Sequence, residues 1–344
     1  MATSTGSGDY DVVVGPYNAN ASTIIATGHT VTLTDNVTGN NFFQIQAGAT
    51  LVGGGFSITV DNESSSDLTF LNAGTISGVL DVIITNPNGV AAIDFTGEGG
   101  NVRNLTINHA SCVATIQDDT TLDGDLTITA GELNTKSGSN HALTVAGNTV
   151  VTGTLTGNNS TLVFGTDGVH GSTESGALHV ESSGSLTFGS GDLTAFSGFT
   201  AKGTNTVTST GGGDILIKGR TNNGFMNSHG HTGVNITGDY KILYDNNSLH
   251  DIRNNMSITA ANIIYSVSNR TYKFWTTSIP PSGSHVTFTG NLQVSNSTTT
   301  LNTQETGRRP TQTFTVSGDT TLDGTLIGNS TEISTGSLTI NSGG

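Results

Sequence analysis

The sequence predicts an all-β chain wound as a parallel right-handed β-helix, a β-solenoid with coils of about 20–30 residues. Three observations predict it. A short phrase, apolar–turn–apolar, recurs along the chain. Alternating runs of Val, Ile, Leu, Phe and Thr, bounded by Gly, Asn and Asp, fill the rest. No stretch of about 12 residues carries a 3.6-residue apolar period, and the chain holds only 5 prolines, which a doubly bonded strand excludes.

In the N-terminal third the runs are Val31-Thr-Leu33, Phe43-Gln-Ile45, Phe56-Ser-Ile58-Thr-Val60, Leu68-Thr-Phe70, Val82-Ile-Ile84, Ile93-Asp-Phe95 and Val102-Arg-Asn-Leu105-Thr-Ile107. Strand side chains alternate faces, so every second residue is expected to enter a core. Gly53-Gly54-Gly55 and Asn86-Pro87-Asn88-Gly89 supply corners, where positive φ costs Gly and Asn little. From there the recurring phrase is clear: Ile116-QDDTT-Leu122, Val145-AGNTV-Val151, Ile236-TGDYK-Ile242, Ile258-TAANI-Ile264, Phe288-TGNLQ-Val294 and Val316-SGDTT-Leu322. The starts are 29, 91, 22, 30 and 28 residues apart, and the largest gap fits about three coils. Antiparallel sandwiches also have short strands, but they do not need one phrase to recur at coil spacing. Handedness is taken from the preference of parallel crossovers.

Four segments are expected: a tail or cap over 1–20, a shaft over 21–213, an aromatic and basic segment over 214–290, and C-terminal coils over 291–344. The final residues carry no polar cap, so a continuing chain or another subunit is expected to cover that end.

Composition narrows the function classes. Charged residues make up 11 % and the formal net charge is −15, with 11 Lys and Arg in all. A phosphate-neutralising face needs clustered cations, so neither nucleic acid nor an anionic membrane is expected as partner. No long apolar run predicts membrane insertion. The start, MATSTGSGDYDVVVG, has no basic or apolar leader region, so no classical signal peptide is expected. The single cysteine, Cys112, lies in the alternating run Ser111-Cys112-Val113-Ala114-Thr115-Ile116 and reads as core.

The Gly-, Thr- and Asn-rich phrases VSGDTTLDGTL and LTVAGNTVVTGTL resemble those of bacteriophage tail-fibre and tailspike proteins, and also the passenger repeats of bacterial adhesins. The resemblance covers roughly residues 110–344. It implies a virion or extracellular fibre whose partners are a host-surface glycan or receptor. A homo-oligomer is expected, either a trimer or, through stacking of uncapped ends, a head-to-tail fibre. A self-assembling filament or adhesin is the related alternative. Tailspikes that cleave polysaccharide make a glycoside hydrolase or polysaccharide lyase the enzymatic alternative.

Residues 214–290 stand apart. They contain Lys218, Arg220, Lys241, Arg253, Arg270 and Lys273, four of the six tyrosines, and the only tryptophan. Rings stack on sugar faces and cations orient polar groups, so Tyr240, Tyr244, Arg270, Tyr272, Lys273 and Trp275 are the candidate ligand-binding residues. A wider coil filled by larger rings is the structural alternative. Asp239, Asp245 and Asp251, with His250 nearby, are the candidate catalytic carboxylates, because a glycosidase needs two across a sugar. Otherwise they are turn aspartates. His229-Gly-His231 places two imidazoles on one side of an extended strand. The phrase resembles the stacked-histidine iron site of some phage fibres, which implies a metal ion shared by three chains. Apart from that ion no cofactor is expected. Asp118-Asp119 and Asp61/Glu63 are candidate calcium loops. The triple glycines Gly53-Gly54-Gly55 and Gly211-Gly212-Gly213 lack the Lys-Ser/Thr of a phosphate loop.

Overall fold

The computed structural model describes residues 2–10, 21–61, 68–86, 89–95, 102–166, 177–196, 198–203, 206–218, 233–243, 256–273, 285–303, 313–328 and 331–341. Among them the chain is all-β, and its parallel strands stack as a β-solenoid of about 11 turns. The chain divides into two compact units, Met1–Ser160 and Thr161–Gly344.

In the first unit each coil lays short strands into parallel columns. One column runs Ala2–Thr3, Ala21–Ile25, Val37–Ile45, Leu68–Asn72, Val90–Asp94, Asn104–Ile116 and Leu126–Asn134, each hydrogen-bonded to its neighbour. A second includes Ser57–Val60, Asp81–Ile84, Asn104–Ile116 and Leu126–Asn134. A third includes Gly8–Asp9, Thr30–Thr32, Thr50–Val52 and Thr75–Ser77. The long strands serve two columns by bending where the register shifts, as Asn104–Ile116 does between Asn108 and Val113. Residues 2–10, expected as tail or cap, supply two of these strands and the buried Tyr10, whose hydroxyl bonds Thr23 at 2.8 Å.

The second unit repeats the plan. Ser185–Phe188, Val207–Ser209, Val234–Asn235, Met256–Tyr265, His285–Val294, Thr313–Val316 and Glu332–Thr335 form one column. Leu193–Phe196, Ile215–Lys218, Asp239–Leu243, Met256–Tyr265, His285–Val294, Thr320–Leu322 and Leu338–Ile340 form another. Coils range from 18 residues (Thr320 opposite Leu338) to 31 (Leu162 opposite Leu193). In the last coil Leu338 and Ile340 are 52 % and 59 % exposed.

Alternation decides what is buried. In Ser57–Val60 and Asp81–Ile84 the second and fourth residues point inward, and Ile58, Val60, Val82 and Ile84 are fully buried. Each aliphatic side chain so buried contributes about 1.5–3 kcal/mol. In-register stacking lets like pack on like. Phe43 lies 5.7 Å from Phe70 and nearly parallel to it, and Phe95 meets the edge of Phe70 at 5.4 Å.

The recurring phrase owes its Gly-Asx centre to a corner. Asp125 Oδ1 accepts the backbone N–H of Asn148 at 2.7 Å, and Asn104 Oδ1 accepts that of Asp125. In the second unit the same bond runs from Asp214 N–H to Asp192, from Asp239 N–H to Asp214, and from Asp319 N–H to Asn291. The preceding residue must be small. A Cβ on Gly147 would lie 2.3 Å from Asp125 Oδ1, and one on Gly318 2.4 Å from Asn291 Oδ1. Gly and Asx at this corner are therefore one device: the glycine makes room for the side chain that binds the next coil.

Cys112 is 1 % exposed, as expected of a core residue. Burial pushes its thiol up to about 11, against a weaker lowering by the Asn86 backbone. The thiolate is the nucleophile, so at pH 7.5 the native thiol is expected to resist iodoacetamide. Labelling in urea should be faster by more than about 10²-fold, and fast native labelling, followed by mass spectrometry, would contradict this placement.

Candidate functional site

The segment 214–290 is built from Ile215–Lys218, Asp239–Leu243, Met256–Tyr265 and Thr271–Lys273. The structure corrects two of its expected ligand-binding residues. Tyr240 and Tyr272 have 0 % exposure, as does Tyr265. Tyr240 stands opposite inward Ile215 and Ile263, and Tyr272 opposite inward Leu301, so register points both rings into the core. Tyr265 and Tyr272 meet edge to face at 4.8 Å. Burial raises the Tyr240 and Tyr265 phenols well above their ordinary value, which keeps them neutral. These rings fill a coil and leave no face for a sugar.

Asp239 is one rung of the corner ladder. Its carboxylate accepts Asn262 Nδ2 at 2.8 Å and lies 3.9 Å from Lys241 Nζ. Lys241 binds Asp214, and this hydrogen bond, more than burial opposes it, raises the ammonium above its ordinary value. The ladder continues as Asn291 Nδ2 donates to Asn262 at 3.2 Å and Ser337 donates to Asp319 at 2.7 Å. The expected catalytic residue thus has a structural occupation. Tyr244, Asp245, His250, Asp251 and Trp275 lie outside the described residues, as do His229 and His231. Glu63 does too. Lys273 is described as strand backbone only.

Arg270 differs from the other cations whose side chains are described. Arg103 bridges to Asp81, Lys202 to Glu181 and Lys241 to Asp214, each on the coil before. Lys136 donates to Gln117, and Lys218 lies over the Phe196 ring at 5.2 Å. Among the described residues Arg270 has no such side-chain partner. Its Nη1 reaches the Asn269 carbonyl at 3.4 Å, and its Nε is buried without an acceptor. Arg270 follows Asn269, whose φ of 56° and N–H bond to Thr298 fix the corner.

A second group went unseen as a group: Asp118 and Asp119, the candidate calcium pair, lie beside His141, one coil later. Only stacking register reveals that neighbour.

Fold and side-chain pattern define the class as a β-solenoid repeat protein whose coils are joined by backbone ladders and Asx bridges. No family model matches the chain, and neither a curated protein nor a solved structure matches it.

Proposed function

We propose that this chain is a structural and adhesive fibre protein of a virion or extracellular appendage, with its solenoid presenting a glycan-binding surface near Arg270. The guanidinium of Arg270, with no side-chain partner among the described residues, carries the reading. A fork of donors without a carboxylate partner among the described residues suits a sugar carboxylate or hydroxyls, and Arg is the cation suited to such planar recognition. Trp275, five residues on, is the partner ring in this reading. The engagement of Asp239 with Asn262 and Lys241 speaks for binding over cleavage. The fibre acts as a homo-oligomer.

The test is a glycan array probed with the full chain, followed by the same array with Arg270→Ala and Trp275→Ala. Each substitution is expected to weaken the bound glycan at least ~10-fold, the loss of a central interface residue. Electron micrographs of the sample should show rods or filaments. Reducing-end release abolished by Asp245→Asn or Asp251→Asn would replace this reading with a polysaccharide-degrading enzyme. An array without saturable binding would remove the adhesive role.

A further inference from the structure

We infer that Asp118, Asp119 and His141 form a divalent-metal site that clips two successive coils together. The two aspartates occupy the turn between strands Asn104–Ile116 and Thr120–Leu122, and His141 precedes strand Leu143–Val145. Thr120–Leu122 and Leu143–Val145 are paired in parallel, Leu122 opposite Val145. The two corners are therefore stacked neighbours, separated by about the 4.8 Å of one rung. Residues 22 and 23 apart in sequence are brought side by side.

The ligand atoms are already gathered and oriented. His141 Nδ1 lies 4.0 Å from Asp118 Oδ1 and 3.9 Å from Asp119 Oδ1, and the three atoms fall within 4.8 Å of one another. The Asp119 N–H donates to Asp118 Oδ1 at 2.8 Å, and the Ala142 N–H donates to Asp119 Oδ1 at 2.8 Å. A third bond, Thr120 N–H to the Ala142 carbonyl at 2.8 Å, locks the corners in register. Both carboxylates are thus pinned by backbone donors while their remaining lone pairs stay open.

The imidazole supplies the third ligand atom from the next coil. Its side chain is 17 % exposed, and Nδ1, the nitrogen that faces both carboxylates, has no hydrogen-bond partner among the described residues. Buried polar groups are normally paired. The Nδ1–oxygen distances are too long for a hydrogen bond, which closes near 2.7–3.2 Å. They suit two ligands that share one cation, each roughly 2.0–2.4 Å from it.

One imidazole with two carboxylates suits zinc, manganese or a similar transition ion better than calcium, which takes oxygen alone. The aspartates are 59 % and 74 % exposed, so water completes the shell from the solvent side. The site sits in the first unit and is separate from His229 and His231 in sequence.

The experiment titrates metal-stripped full chain with Zn²⁺ and Mn²⁺ against a chromophoric chelator. Saturable binding is expected. His141→Ala should weaken it at least ~100-fold, since it removes a ligand where loss of an outer partner already costs 10–100-fold. Asp118→Asn with Asp119→Asn should do the same while keeping the oxygen that accepts Ala142, which guards against a folding artefact. His229→Ala with His231→Ala should leave the site intact. Absence of saturable binding overturns the proposal, and so does binding that survives His141→Ala. Equal affinity for Ca²⁺, indifferent to His141→Ala, would reduce the trio to a carboxylate pair and overturn it as well.

Discussion

Phe70→Ala is expected to destabilise the Met1–Ser160 unit by about 4 kcal/mol, the cost of deleting a buried ring whose cavity cannot close. Phe70 has 0 % exposure and is held on both sides, by Phe43 in the coil before and Phe95 in the coil after. Its neighbours cannot fill the space, because strand register fixes the spacing of their Cα atoms. Phe43 stands opposite Phe70, and Phe70 opposite Ile93. The ring contacts add about 0.5–1.5 kcal/mol each beyond area burial. Leu71, one residue on, points outward and is half-buried. Leu71→Ala should cost less than about 1 kcal/mol. Urea denaturation followed by circular dichroism reads both variants. Equal losses for Phe70 and Leu71 would mean that alternation does not set burial in this strand.

Much of that inward pattern was legible in the chain. The phrases Phe288–Val294 and Val316–Leu322 lie in true register, Phe288 opposite Val316 and Val294 opposite Leu322. Ile258 opposite Phe288 matches as well. Other spacings misled. Ile116 and Val145 head successive phrases, yet Val145 stands opposite Leu122, the far end of the earlier phrase. A coil has several corners of similar chemistry, so an apolar–turn–apolar phrase marks a corner without saying which one. Ile264 shows a finer limit. It ends one of the recurring phrases, yet it pairs with Lys241 and Gln293 and faces out, while Ile263 and Tyr265 face in. Tandem apolar residues hide the phase of a two-residue period, and only the neighbouring coils settle it.

The site was less legible for a related reason. Aromatic density in 214–290 was real, but a ring's exposure depends on its phase in the strand, and Tyr240 and Tyr272 fall on the inward phase. His141 draws its meaning from neighbours one coil away. A sequence states which residues exist at each corner. The number of residues in each intervening coil, which varies from 18 to 31, decides who meets whom. The Gly-Asx pairs were visible signals of that register, because each binds the backbone of its successor.

Gly290→Ala is expected to cost the Thr161–Gly344 unit about 3–5 kcal/mol, the range reached when a substitution forces backbone to move. Thr289 lies opposite Thr259 and Asn291 opposite Asn262, so Gly290 alone faces the two residues Ala260 and Ala261. This is a bulge: one strand carries an extra residue, and the partner must come close to keep the ladder. A Cβ on Gly290 would stand 1.8 Å from the Ala260 carbonyl oxygen. That oxygen belongs to backbone, so no side-chain rotation relieves the clash. The φ of 148° adds strain of its own for any L-residue. Gly212 separates the two effects. It has a φ of 86° with nothing within 4 Å of a Cβ, so Gly212→Ala should cost only about 1–2 kcal/mol, the penalty for positive φ alone. Hydrogen exchange should show the difference in place, with amides of Met256–Tyr265 and His285–Val294 losing protection in Gly290→Ala. Protection kept there would mean that the strands meet in a different register, and with it the ladder that carries Asn262 onto Asn291 would fall.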